Sequence, residues 1–199
     1  MEKEPGFTQA EGLELIQSMI NKAKNRFSEN GHLYLLWGWT VLICAFAQFV
    51  LQHFFQFPKH YLVWLATWIV VIYQTIYLRR RNNKSKVQTY TDDILGYVWL
   101  CFVILMLLFG FLFGQVMGKD YYKFISPGFL ALYGMPTFLS GVILRFKPLW
   151  IGGVCCWILS VIAPQVKNEY QLLLLPLAVI LAWIIPGYLL KARYKKENA

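Results

Sequence analysis

Charged side chains are scarce in this chain, and its long apolar stretches lack them. Asp, Glu, Lys and Arg make up only 15% of the 199 residues, against about 25% in a typical soluble domain. None of these four residue types lies in the middle of an apolar run. Proton relays, ion-coupled carriers and intramembrane proteases need ionisable groups within the membrane. The composition therefore disfavours all three classes of protein.

Motifs of known chemistry are also missing. The chain has no P-loop, no G-x-S-x-G and no G-x-G-x-x-G sequence. Four cysteines lie inside apolar runs without C-x-x-C or zinc-type spacing, and they are Cys44, Cys101, Cys155 and Cys156. We interpret them as small packing residues, with redox or soft-metal chemistry at the adjacent Cys155 and Cys156 as the minor alternative. No catalytic residue, metal site or cofactor is predicted.

Long apolar stretches are abundant in this chain. Residues 94–114 contain no charge, amide or aliphatic hydroxyl over 21 positions. As a helix rising about 1.5 Å per residue they would extend roughly 31 Å, the thickness of a bilayer's hydrocarbon core. A soluble helix would show a polar stripe with a period near 3.6 residues, and this stretch has none. The sequence therefore predicts a membrane-spanning helix here.

Five further apolar runs extend this pattern to an all-α integral membrane bundle of six transmembrane helices, arranged as three helical hairpins. The six runs are about 33–55, 61–78, 93–117, 127–144, 149–165 and 170–190. Residues 1–31 would form a cytoplasmic amphipathic helix, 32–192 the transmembrane domain and 193–199 a cytoplasmic tail. The fifth run barely spans a bilayer unless flanking residues join it. Ser126 and Pro127 fit the N-cap and first position of the fourth helix.

Residues 8–28 have the pattern of an amphipathic helix. Thr8 and Glu11 fit a capping box, and apolar residues then recur three and four positions apart. These residues are Leu13, Ile16, Ile20, Ala23 and Phe27. The face of Leu13, Ile16, Ile20 and Phe27 would lie on the membrane surface, dock on the bundle or pair with a partner helix. The pattern favours the surface-lying arrangement. No apolar run begins before about Leu33, so no signal peptide is predicted.

Basic residues are distributed unevenly between the two predicted faces of the membrane. Fifteen of the 19 Lys and Arg residues fall on the face that holds both termini, namely Lys3, Lys22, Lys24, Arg26, Arg79, Arg80, Arg81, Lys84, Lys86, Arg145, Lys147, Lys191, Arg193, Lys195 and Lys196. The other face holds only Lys59, Lys119, Lys123 and Lys167. By the positive-inside rule, both termini are predicted in the cytoplasm. The basic clusters would contact anionic lipid headgroups, and their placement argues against nucleic acid as a partner.

Glutamines form the clearest group of polar residues within the apolar runs. Gln48, Gln52 and Gln56 recur every four residues on the first span, and Gln74 shares a face of the second span with Thr67. An amide facing lipid is costly, so these side chains should face protein or a wet cavity. Interhelical hydrogen bonding is the favoured interpretation. The alternative is a polar substrate path lined by Gln48, Gln52, Thr67 and Gln74.

Two other features point to packing and anchoring. Gly110, Gly114 and Gly118 form a G-x-x-x-G-x-x-x-G run, which opens a groove that another helix can approach closely. Trp37 and Trp39 lie near the start of the first span, where tryptophans anchor helices at the membrane interface. The glycine run is therefore a candidate helix-packing site, and the tryptophans are candidate anchors.

A family resemblance lies in two stretches near the N-terminus. Residues 28–39 read Ser-Glu-Asn-Gly-His-Leu-Tyr-Leu-Leu-Trp-Gly-Trp, and residues 15–20 read Leu-Ile-Gln-Ser-Met-Ile. They resemble a group of uncharacterised membrane proteins from Bacteroidetes-type bacteria, often encoded beside a small winged-helix transcriptional regulator. The resemblance covers the first 40 residues best. It implies an inner-membrane protein in a regulated unit and supplies no catalytic residues.

The favoured function is a non-enzymatic inner-membrane protein with a regulatory or assembly role, contacting a partner protein or a second copy of the chain. The alternative is a small transporter or ligand-binding membrane protein that uses the glutamine path. A membrane enzyme is the third hypothesis. It would need a metal ion that joins His53 and His60 with Asp120 or Glu169. No H-x-x-x-H spacing supports such a site, and interfacial polar residues are the simpler interpretation of these histidines.

Overall fold

The computed structural model describes residues 12–14, 31–84, 90–118 and 121–197, and these residues are helical or lie in short turns. The α-helices are α1 (Gly31–His53), α2 (Ala66–Lys84), α3 (Tyr90–Met117), α4 (Tyr121–Ile143), α5 (Lys147–Ile162), α6 (Asn168–Val179) and α7 (Ile185–Glu197). A 3-10 helix, His60–Leu65, leads into α2, and another, Ala163–Gln165, follows α5. The all-α prediction is therefore confirmed for the described residues.

One predicted helix boundary is wrong, and one helix extends beyond the span predicted for it. The fourth helix begins at Tyr121, so Pro127 lies inside it and Ser126 is not its N-cap. The carbonyl oxygen of Pro127 accepts a hydrogen bond from the Ser160 hydroxyl at 2.7 Å, which ties this first part of α4 to α5. At the other end of the chain, α7 continues through the basic residues to Glu197 instead of ending near Leu190.

The last span is a continuous helix with a wider turn in its middle. Ile180–Ile184 adopt π-helical geometry between α6 and α7, and Pro186 follows directly. Proline has no N–H to donate, and its ring displaces the carbonyl four residues earlier. A π turn before the proline accommodates that displacement without ending the helix. The same turn places Trp183 in the buried core.

Tightly packed helices form the centre of the bundle. A Cβ built on Gly134 of α4 would lie 2.9 Å from the carbonyl oxygen of Gly153 on α5, and the reverse distance is also 2.9 Å. At the start of α1, a Cβ on Gly31 would overlap the carbonyl oxygen of Gly187 on α7. Close backbone approach of this kind is how membrane helices gain packing energy. Helix α2 lies at the edge, with none of its span buried.

Five helices of the described residues are long and apolar enough to cross a membrane. They are Gly31–His53, His60–Arg80, Asp93–Met117, Lys147–Gln165 and Tyr170–Lys196. The fifth apolar run lies in a helical segment of 19 residues because Lys147 and Pro148 join its start. Helix α4 is not among the five. It contains two prolines, three glycines and several hydroxyl side chains, and these lower its apolarity.

The helices alternate in direction, so their ends gather at two opposite ends of the bundle. At one end, Gly31 meets Gly187, and the ring of His32 lies 5.3 Å from that of Tyr77. This end holds the exposed side chains of Arg79, Arg80, Arg145, Lys147 and Lys191, and we call it the basic end. At the opposite end, the rings of His53 and Tyr170 lie 6.4 Å apart.

Candidate functional site

Helices α1 and α2 are joined by two tryptophan–glutamine hydrogen bonds of opposite direction. Trp37 on α1 donates from Nε1 to the amide oxygen of Gln74 on α2. Trp64, just before α2, donates from Nε1 to the amide oxygen of Gln48 on α1. All four side chains are half-buried. An indole N–H only donates and an amide oxygen only accepts. Each of the two hydrogen bonds therefore satisfies one polar side chain of α1 and one of the segment that contains α2.

Gln48 also contacts a histidine. Its Nε2 lies 3.1 Å from Nδ1 of His60. Because the indole of Trp64 can only donate, it must face the amide oxygen, and the amide nitrogen of Gln48 must then face His60. This nitrogen donates, so Nδ1 of His60 accepts. The chain of bonds from Trp64 through Gln48 to His60 thus fixes the neutral His60 tautomer with its proton on Nε2.

Gln52 and Gln56, which follow Gln48 at intervals of four residues, have a different environment. Gln52 and Gln56 line a half-open pocket with Phe49 and His53, with a volume of about 260 Å³. We call it the Gln52 pocket. Its two rings, Phe49 and His53, stack with centroids 5.4 Å apart and planes 6° from parallel. Gln52, His53 and Gln56 are exposed, so two amides and an imidazole are available to a ligand.

The four residues predicted to line a polar path therefore lie in different environments. Gln48 and Gln74 each bond to a tryptophan of the neighbouring helix segment. Thr67 donates to the carbonyl oxygen of Trp64 in its own segment at 2.6 Å. Gln52 lies apart from them in its pocket. The glutamines that face protein serve as interhelical acceptors, and the continuous path stays a prediction.

A buried aromatic cluster occupies the centre of the bundle. Trp183 from the π turn contacts Tyr133 on α4 and Trp99 on α3, with ring centroids 4.8 Å and 5.8 Å away. Its Nε1 donates to the hydroxyl of Thr137 at 2.9 Å, and that hydroxyl donates to the carbonyl oxygen of Tyr133 at 2.8 Å. Because Trp183 comes from the last span and the others from α3 and α4, the cluster joins distant parts of the chain.

Two hydroxyls beside this cluster have no hydrogen-bond partner among the described residues. Tyr34 on α1 is 5% exposed, and Ser140 on α4 is fully buried. Ser140 and Trp99 face the Tyr34 hydroxyl, but neither meets it in hydrogen-bonding geometry. Among the described residues the other buried polar side chains are Thr137 and Gln171, and no charged side chain is buried. The core therefore offers hydroxyls and amides but no acid, base or ion pair.

Open space surrounds two residues of the predicted glycine run. A Cβ on Gly114 or Gly118 would meet no atom of the described residues within 4 Å. Close packing occurs instead at glycines that sequence reasoning did not select, such as Gly134, Gly141 and Gly153. The available signals were the seven-residue spacing of Gly134 and Gly141, which puts both on one helix face, and the Gly152-Gly153 pair. Packing at the Gly110–Gly118 run stays a prediction about a second chain.

The remaining predicted sites are only partly described. Leu13 is 66% exposed, while Ile16, Ile20 and Phe27 lie outside the described residues. His53 stacks on Phe49, whereas His60 bonds to Gln48. Asp120 and the side chain of Glu169 are also outside the described part of the chain. Where the side chains are described, no three His, Cys, Asp or Glu groups come together as metal ligands.

No family model, curated protein or solved structure matches this chain.

Proposed function

We propose that this chain is a six-span protein of a bacterial inner membrane with both termini in the cytoplasm. Five helices have the length and apolarity to span a bilayer. Helix α4 would be the sixth, because it packs between α3 and α5 through buried residues such as Leu130 and Gly134. The basic end would be cytoplasmic by the positive-inside rule, where its arginines and lysines would contact anionic headgroups.

Its function, we infer, is that of a non-enzymatic regulatory or assembly component. One observation carries this proposal: three polar side chains that lie between helices form hydrogen bonds that join them. Gln48 and Gln74 bond to tryptophans, and Thr137 bonds to Trp183. A bundle whose Gln48 and Gln74 amide oxygens accept bonds from a neighbouring helix segment, and which buries no charge among its described residues, suits a rigid membrane scaffold. The contact with a partner would then come from the face of residues 8–28.

A transporter is the competing proposal and has less support. It requires a wet route across the membrane lined by Gln48, Gln52 and Gln74. The amide oxygens of Gln48 and Gln74 already accept hydrogen bonds from indoles, and opening such a route would break both bonds. The exposed Gln52 pocket supports ligand binding at one end of the bundle, which needs no route through it.

Reporter fusions test the topology. Fusions after residues 83 and 146 should report a cytoplasmic location, and fusions after 58, 120 and 167 the opposite side. A cytoplasmic signal at 120 would contradict the six-span arrangement, because α3 would then fail to cross the membrane.

Crosslinking and co-purification from native membranes test the function. Polar substitutions at Leu13, Ile16 and Ile20 should remove a protein captured by the unaltered chain, since the apolar face would be lost. The matched control changes Glu14 and Gln17 to alanine on the same segment and should retain that protein. Capture that is unchanged in the triple variant would count against a partner role for this face.

A further inference from the structure

The Gln52 pocket is built from groups that recognise hydroxyls. Each glutamine amide presents a donor and an acceptor, and Gln52 and Gln56 both line the pocket. The rings of Phe49 and His53, which stack on each other, form its aromatic lining. An aromatic ring packs against the C–H face of a sugar ring while amides bond the sugar hydroxyls. Its volume of about 260 Å³ lies below the usual range for drug-sized ligands, so it suits one monosaccharide unit.

Backbone geometry at Gln56 is the second indication. Gln56 has a φ of +46°, a left-handed conformation that is unfavourable for a residue with a Cβ. It follows the end of α1, where the N–H of Phe57 returns to the carbonyl oxygen of Leu51 at 3.0 Å. Glycine is the usual residue at such a helix end. Strained backbone of this kind is often found at binding sites, and here the strained residue carries one of the two amides.

The pocket amides have no structural use within the described part of the chain. Gln48, one turn earlier, bonds to Trp64 and His60. Gln52 and Gln56 are exposed and make no side-chain hydrogen bond to any described residue. Replacing them would therefore remove no interhelical contact. Loss of ligand binding in a Gln52 or Gln56 variant would therefore indicate a binding role and not a loss of helix packing.

Charge and surroundings indicate the class of ligand. The described residues of the lining include no Lys or Arg, whereas phosphate recognition uses charge-assisted bonds from such residues. Tyr170, whose ring lies 6.4 Å from that of His53, is 45% exposed. Tyrosine side chains at the end of a membrane helix lie in the lipid interface. The ligand should therefore be neutral, hydroxyl-rich and close to the bilayer surface.

We propose that the Gln52 pocket binds a neutral glycosyl group, presented as the headgroup of a membrane lipid. Gln52 and Gln56 would hydrogen-bond the sugar hydroxyls, and the ring pair of Phe49 and His53 would hold the ring. The proposal goes beyond the function inferred above, because it holds with or without a cytoplasmic partner.

Native mass spectrometry of the purified full-length protein tests this site. The protein is incubated with a glucosyl diacylglycerol or with phosphatidylglycerol of the same acyl chains. We expect preferential retention of the glycolipid. Gln52→Leu should lower retention about fivefold, the factor expected for one hydrogen bond. The matched control is Gln115→Leu, at an exposed glutamine near the end of α3, and it should bind like the unaltered protein.

A second variant separates binding from folding. Gln56→Gly removes the amide and relieves the left-handed strain, so it should raise the melting temperature by about 2–4 °C while lowering glycolipid retention. Equal retention by all variants, or preference for phosphatidylglycerol, would overturn the proposal. Methyl glucoside is tested in parallel, and binding of this free sugar without the glycolipid would overturn the lipid source. The proposal would be supported if glycolipid retention is lost in the two pocket variants and kept in the Gln115→Leu control.

Discussion

The indole of Trp64 donates to the amide oxygen of Gln48, sixteen residues earlier in the chain. Together with the bond from Trp37 to Gln74, it makes α1 and α2 a pair whose polar groups satisfy each other. Hydrogen bonds between membrane helices contribute on average about 0.6 kcal/mol and at most about 1.7 kcal/mol. Two such bonds matter most for α2, because none of the α2 span is buried.

A double-mutant cycle should measure this coupling. Trp64→Phe and Gln48→Leu are each expected to lower the free energy of unfolding in a detergent titration. The double variant should lose about 0.6–1.7 kcal/mol less than the sum of the two, because it removes both members of this indole–amide pair and leaves neither without the other. Strictly additive losses would contradict the bond. For the second pair, the matched control to Trp37→Phe is Trp39→Phe, which changes an exposed tryptophan of the same helix.

The tautomer of His60 is a second prediction. Because the Gln48 amide nitrogen faces Nδ1 at 3.1 Å, neutral His60 should carry its proton on Nε2. Nitrogen-15 NMR of histidine-labelled protein should show Nδ1 as the unprotonated ring nitrogen. In Gln48→Leu this preference should weaken, while the signals of His53 stay unchanged. A proton on Nδ1 in the unaltered protein would show that the bond chain is not formed.

Matched glycine substitutions should have opposite effects on stability. A Cβ on Gly141 would lie 2.8 Å from the Cα of Trp150 and closer still to its backbone nitrogen. Gly141→Ala should therefore destabilise by about 1–3 kcal/mol in the same titration. Gly114→Ala meets open space and should stabilise by about 0.5–1 kcal/mol. If Gly114→Ala instead destabilises the protein and reduces an oligomer, the glycine run packs against a second copy.

Arg145 offers a stabilising substitution. Its φ is +50°, and the N–H groups of Arg145 and Phe146 return to the carbonyls of Val142 and Gly141 at 3.1 Å and 2.8 Å. This is a Schellman motif with arginine where glycine is usual. Arg145→Gly should raise the free energy of unfolding by about 1 kcal/mol. Arg145→Ala is the control, since it removes the side chain but keeps the strain. A glycine variant no more stable than the alanine variant would contradict this account.

Several features of the candidate sites were within reach of the sequence. An unpaired amide is costly between membrane helices, and this rule anticipates that Gln48 and Gln74 find partners. The identity of those partners was not accessible. Trp37 was assigned to the membrane interface on its position near a helix end, whereas it donates into the α1–α2 contact. Exposed Trp39 fits the anchor role better.

The sequence by itself determined that the described part of the chain is helical and that it has helices long and apolar enough to cross a membrane. Long runs without charge leave only helices as a means of satisfying the backbone in lipid, and the ends of those runs are marked by charges and turns. Such signals depend on neighbours in the chain, so they are readable without a fold.

Only the tertiary structure decided which polar and small residues meet. Apolarity on all sides of a membrane helix hides which face packs, so periodicity could not select Gly134 and Gly153 over Gly114. The helix-to-helix register also decided that Gln48 is consumed by Trp64 while Gln52 opens into a pocket, although the two lie one turn apart on the same helix.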